Sequence, residues 1–199
     1  MGTIREPIKK TSIEKKRRII EKGFNLICEK GYHNVNSIDI AKEAGVSTGL
    51  IYQYFDDKSA IFIEGVKIYS ADIMFPMINI LEKNDINQEN IKQIFSDIID
   101  KYIKAHKMSK KAHEELLAMS HSNKTVEDIF CRDEEDLTIK IASILVKDGF
   151  SETNINEKVH IIYNMIDQYC HEVIYHKHKN IDYHQMKNEI INMIDVILK

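Results

Sequence analysis

The chain has 199 residues, 43% apolar and 30% charged, with only 7 Gly and 2 Pro. That is the balance of a globular protein with a proper core, and the scarcity of chain breakers argues against a many-turned β architecture. Met1 to Lys10 is basic with no apolar run behind it, and no segment nears the roughly 18 uninterrupted apolar residues of a membrane span, so the chain is expected in the cytoplasm.

The net charge of −3 is unevenly spread: residues 1–58 carry 11 Lys/Arg against 8 Asp/Glu, and the remainder 17 against 23. Lys9, Lys10, Lys15, Lys16, Arg17 and Arg18 make the densest basic run. A basic head on an acidic body suggests that only the head meets a polyanion. Charge alone would equally fit a solvated helix face. Cys28, Cys131 and Cys170 are odd in number and far apart, and are expected as buried free thiols.

In chain order, apolar residues recur with the helical period almost everywhere, and strand alternation is not convincing anywhere. The first helix is expected from an N-cap at Ser12 to Lys30, with Ile19, Ile20, Gly23, Phe24 and Ile27 as its buried stripe and Gly31 as its stop. Ser37 should cap a brief helix over Ile38–Ala44, ended by Gly45. Ser47 or Thr48 should cap another ending near Phe55. Asp57 caps a longer helix from Lys58 toward Phe75, where Pro76 should end or kink it. Further helices are expected at about 87–106, 109–121, 124–148, 154–177 and 183–198. The expected fold class is all-α: a small N-terminal three-helix unit with a helix-turn-helix over residues 1–58, joined to a larger C-terminal helical domain over 59–199, with about nine helices in all.

Function concentrates in residues 37 to 58. Ala41 is small where two helices cross, and Gly45 can take the positive φ that the tight turn requires. Ile40, Ala44, Val46, Ile51 and Phe55 are spaced to pack between those helices and against Phe24 and Ile27. Ser47, Thr48, Gly49, Leu50, Gln53 and Tyr54 remain for the N-terminal half and outer face of the second helix, the region a recognition helix presents to the major groove. A generic helical hairpin explains the apolar positions equally well. It does not explain an outer face of small hydroxyls, Gly, Gln and Tyr in place of Glu and Lys.

The run Gly45-Val46-Ser47-Thr48-Gly49-Leu50-Ile51-Tyr52-Gln53-Tyr54-Phe55, followed by Asp57-Lys58, resembles the signature of the tetracycline-repressor (TetR) family, and the likeness takes in Ala41 and Gly31-Tyr32. The resemblance implies that Tyr52 and Lys58 hold DNA phosphates, with Ser37 at a helix N-terminus suited to another. It implies that Thr48, Gly49, Leu50 and Gln53 face bases. No Lys or Arg lies between Gly45 and Phe55, so the usual bidentate reader of guanine is missing. Gln53 can pair with adenine, and Leu50 or the Thr48 methyl can touch a thymine methyl, so half-sites that lean to A·T are expected. The basic arm Lys9 to Arg18 could add phosphate or minor-groove contacts.

For the C-terminal body the resemblance implies effector binding and dimerisation. The last two helices carry wide apolar stripes, and Ile162, Ile166, Tyr169, Val173, Ile190, Met193, Ile194 and Ile197 are the candidates for a homodimer interface. Tyr69, Met74, Phe75, Phe95, Tyr102, Met119, Phe130 and Met165 are the candidates for a pocket that takes an unknown hydrophobic or amphipathic small molecule, although such residues at helical spacing are more often plain core. Five of the nine histidines fall into two loose groups, His106 with His113 and His171 with His176 and His178, neither with the spacing of a helical zinc site. No metal, cofactor or catalytic constellation can be assembled, so no enzyme is expected. The resulting expectation is a repressor that binds a palindromic DNA operator as a homodimer and is released by a small-molecule effector. The alternative is a constitutive DNA-binding regulator with no ligand.

Overall fold

The computed structural model describes residues 7–106 and 108–199, and the side chains of residues 73–75 are outside that description. Among the described residues there are nine α-helices and no strand: α1 Lys10–Lys30, α2 Ser37–Ala44, α3 Thr48–Tyr54, α4 Lys58–Glu82, α5 Ile91–Ala105, α6 Lys110–Ser122, α7 Lys124–Lys147, α8 Ile155–Tyr175 and α9 Tyr183–Ile197. None of them is long and apolar enough to cross a membrane.

The helix ends follow local chemistry, with three corrections. Ser12 lies inside α1, whose N-cap is Lys9 and makes no side-chain cap bond. Asn36, not Ser37, caps α2: its side-chain oxygen accepts from the Ile38 and Asp39 amides, and the Asp39 carboxylate accepts from the Asn36 amide in return. Pro76 lies within α4, and the helix continues through it to Glu82. Other caps fall where the residue types place them. Ser47 Oγ accepts from the Leu50 amide, Asp57 Oδ1 from Ala60, Ser109 Oγ from Ala112, and Asp182 Oδ1 from His184 and Gln185.

The chain forms two compact units, and they do not follow a single cut after residue 58. One takes in Met1–Ser70 and Met108–Cys131; the other takes in Ala71–Lys107 and Arg132–Lys199. The boundaries fall inside α4 and α7, which contribute residues to both. α6 joins the first unit because α1 needs cover on a second side: Ala112, Leu116 and Met119 of α6 are buried in one cluster with Ile19, Phe24, Ile27, Ile40, Ile51 and Phe62.

Close packing in this unit depends on a missing side chain. A Cβ at Gly65 of α4 would lie 2.5 Å from Cβ and Cγ of Phe24, so α4 reaches α1 only with glycine there. In the second unit α5, α8 and α9 pack against one another through Ile91, Phe95, Ile99, Ile162, Ile166, Cys170, Ile190 and Ile194. Cys28 and Cys170 are buried free thiols as expected, whereas Cys131 is exposed, one residue past the stripe of Val126, Ile129 and Phe130 that α7 turns inward.

Candidate nucleic-acid interface

The reader is built by α2, a left-handed turn and α3. Gly45 adopts φ 61°, and the Gly45 and Val46 amides close the end of α2 on the Lys42 and Ala41 carbonyls. Ile40, Ala41, Ala44, Ile51 and Phe55 are buried, which leaves one face of α3 for a partner.

That face is narrower than the sequence reading. At 100° per residue, Thr48, Gly49, Tyr52 and Gln53 fall within an arc of about 140°. Gly49, Gln53 and Tyr52 are exposed, Tyr52 by 54%, and Thr48 is half-buried. Tyr54, expected on this face, is instead buried at 8% because it stands three residues from Ile51 on the core side of the helix. Leu50 lies at the edge of the arc and is partly packed against the core. Ser47 is exposed and spends its hydroxyl on the Leu50 amide. Ser37 is half-buried at the start of α2, and the amides that follow it are taken by Asn36 and are not open to a phosphate.

Sequence reading missed Ile38, an apolar side chain 66% exposed in the first turn of α2. Its signal was present: it breaks the stripe formed by Ile40, Ala41 and Ala44.

Lys58 was expected to be a surface cation that meets a phosphate. Its ammonium instead donates to the carbonyls of Tyr32 at 2.5 Å and Val35 at 2.8 Å, and lies 4.4 Å from the centre of the Tyr32 ring. The basic run is part of a helix from Lys10 onward and not an extended arm, and Lys16 lies 5.7 Å from the Phe55 ring centre.

The second unit holds a different arrangement. An apolar cavity of about 20 Å3 is lined by Met77, Leu81, Phe95, Ile98, Ile141, Val159, Ile162, Tyr163 and Ile166. Of the eight expected pocket residues only Phe95 lines it. Tyr69, Met119 and Phe130 pack into the core of the first unit. Met165 is half-buried, and the side chains of Met74 and Phe75 lie outside the described residues.

Tyr102 belongs to a polar cluster that the sequence did not disclose. Its hydroxyl donates to Asp167 Oδ1, and its backbone carbonyl lies 2.9 Å from His106 Nδ1. Asp167 Oδ2 is 3.3 Å from His171 Nδ1, and the His106 and His171 rings meet edge to face at 5.2 Å. Burial, then the Asp167 charge, pushes the Tyr102 phenol well up; burial also lowers the His106 imidazole. Asp167 and His171 are four residues apart on α8, the one signal that could have found the cluster. Among the described residues no group of three or more His, Cys, Asp or Glu is arranged to hold a metal ion.

The candidates for a dimer face divide. Ile162, Ile166, Tyr169, Ile190 and Ile194 are buried within this chain, Val173 and Ile197 are half-buried, and Met193 is exposed. Ile161 and Val196 are exposed as well.

Against known proteins, residues 19–64 match the family model described as bacterial regulatory proteins, tetR family. The transcriptional regulator HbdR of Aromatoleum is 46% identical over 54 residues, 27% of this chain and 24% of that protein. IcaR of Staphylococcus aureus, the negative transcriptional regulator of a biofilm operon, is 29% identical over 106 residues, 50% of this chain and 56% of its own. The chain thus spans between a quarter and about a half of the length of the curated relatives it matches. Likeness of fold is more extensive. A TetR-family regulator from Mesorhizobium loti superimposes with a TM-score of 0.75 at 16% identity, covering 96% of this chain and 98% of that one. A regulator from Saccharomonospora viridis, solved in complex with choline, gives 0.64 at 20% identity over 92% and 96%. These relatives are named as transcriptional regulators, and none of them as an enzyme. Residues 19–64 thus match the DNA-binding region of the tetR family of bacterial regulatory proteins, and the helical body shares the fold of solved structures described as TetR-family regulators.

Proposed function

We propose that the protein is a repressor that occupies a palindromic DNA operator as a homodimer, working in the cytoplasm. The observation that carries this reading is the outer face of α3. Thr48, Gly49, Tyr52 and Gln53 form a compact patch with no Lys or Arg, on a helix whose other side is fixed in the core. Gln53 can accept from adenine N6 and donate to N7, and the Thr48 methyl can meet thymine. The exposed Tyr52 phenol donates to a phosphate. Affinity then comes from the basic residues of α1, and specificity from an A·T-leaning groove contact. Two readers on one operator require two chains, and the exposed Ile161, Met193 and Val196 of α8 and α9 supply apolar surface for that pairing.

The test is enrichment of duplexes from a random pool at low salt, with the oligomeric state read by sedimentation. Inverted half-sites rich in A·T and a dimer are expected. G-rich half-sites would overturn the readout, and failure to enrich any duplex would overturn DNA binding itself.

A small-molecule effector is the finer part of this reading. The choline-bound relative supports a fold that admits small organic molecules. The residue set of α5, α7 and α8 around Phe95 and Tyr163 is where an apolar effector would enter. A cavity of about 20 Å3 has room for roughly one water. An effector that enters there must therefore open the core and select a state other than this one. The dense apolar packing around that cavity also fits a second reading, a regulator that binds DNA without any effector. A ligand-library melting screen separates the two: a reproducible rise in Tm that also releases DNA supports the effector, and no shift across the library supports the constitutive reading.

A further inference from the structure

Tyr32, in the connection between α1 and α2, is held by both of its backbone polar groups. Its amide donates to Glu115 Oε1 on α6 at 2.6 Å, and its carbonyl accepts from the Lys58 ammonium at 2.5 Å. Lys58 also binds the Val35 carbonyl, so it ties the two ends of the short segment that leads into the Asn36 cap of α2. The Tyr32 ring lies against the Lys58 ammonium at 4.4 Å and meets Phe62 at 5.7 Å.

The position of Glu115 runs against the local field. Its carboxylate lies beside the end of α1, within 4 Å of where a Cβ at Gly31 would stand, and a negative charge at a helix C-terminus is unfavourable. Burial first, then Glu115 and Glu29, pushes the nearby Cys28 thiol up to about 12. A carboxylate placed there is stabilised by what it accepts, and what it accepts is the Tyr32 amide.

We infer that Glu115 is a positioning residue for DNA binding: by holding the Tyr32 amide it fixes the carbonyls that hold Lys58, and with them the entry to α2. α6 lies outside the helix-turn-helix, so the inference gives this helix a direct part in setting the reader. It rests on the DNA-binding reading above. Lys58 has two alternative partners in this scheme, the carbonyls seen here and a DNA phosphate, and Glu115 sets the frame within which it exchanges them.

The experiment separates reach from charge in the full chain. Glu115→Asp keeps the charge and shortens the side chain by one methylene; Glu115→Gln keeps the reach and an acceptor oxygen. Two readouts are taken: exchange of the Tyr32 amide in the free protein, and affinity for the duplex that the wild-type protein enriches from a random pool. Glu115→Asp is expected to speed Tyr32 exchange at least about tenfold and weaken duplex binding about fivefold, with Glu115→Gln within about twofold on both. Wild-type behaviour of Glu115→Asp on both readouts overturns the inference. So does a Glu115→Gln variant as weak as Glu115→Asp, since charge and not the hold would then be acting. If the wild-type protein enriches no duplex, the DNA-binding reading fails, while Tyr32 exchange still decides whether Glu115 holds the connection.

Discussion

The phenol of Tyr102 on α5 donates to one oxygen of Asp167 on α8, and the other oxygen of that carboxylate lies 3.3 Å from His171 Nδ1. Tyr102 is almost wholly buried, so its hydroxyl has no water to turn to. A charge-assisted bond from a buried donor ties the two helices. Tyr102→Phe should therefore lower stability by about 2 kcal/mol, read as a fall in the urea midpoint at constant m-value. An unchanged midpoint would mean that the bond contributes nothing net.

His106 predicts how stability follows pH. Burial is the main influence lowering its imidazole below 6.5; the bond to the Tyr102 carbonyl opposes this, and His171 adds to the lowering. In the unfolded chain the ring takes its proton near the ordinary value of about 6.5. Between that value and the depressed folded one, the unfolded state binds more protons, so stability declines as pH falls through that window and is fully present above it. Melting temperatures recorded from about pH 7.5 down to 5 should fall more steeply for the wild type than for His106→Gln. Parallel curves would show that another group controls the acid side.

Two glycines separate fold from reading. Gly65→Ala places a methyl 2.5 Å from Phe24 at the crossing of α1 and α4, where neither partner is the free end of a flexible chain. Overpacking of this kind costs about 1–3 kcal/mol, more than the helix-propensity gain of up to about 1. Gly49→Ala meets nothing within 4 Å and should leave stability equal or higher. It should instead change which duplexes are enriched, because the new methyl stands on the exposed arc of α3. Loss of stability in Gly49→Ala with unchanged enrichment would reverse that assignment.

Tyr52 and Tyr54 are two residues apart and should behave oppositely. Tyr52→Ala removes an exposed side chain and should stay within about 0.5 kcal/mol of wild-type stability while weakening DNA binding. Tyr54→Ala removes a buried ring and should cost about 3–5 kcal/mol. Chemical denaturation and gel-shift titration on the same two proteins check both halves of the contrast.

Much of this protein is written in local chemistry. Helical periodicity, caps such as Ser47, Asp57 and Ser109, and Gly45 at the turn act within a few residues of themselves, which is why the helices and the reader are legible without a structure. Tertiary structure decided whatever depends on residues distant in sequence. The core turned Tyr54 inward and left Ile38 out, because burial is settled by what packs over a helix and not by the helix alone. It drew α6 onto α1 and set Glu115 on the amide of Tyr32, 83 residues away. It gave Lys58 two carbonyl partners and assembled Tyr102 of α5, His106 just past its end, and Asp167 and His171 of α8. A lysine or a tyrosine has several possible roles in a sequence. The neighbours that folding brings within 3 Å select among them, and those neighbours have no fixed spacing along the chain.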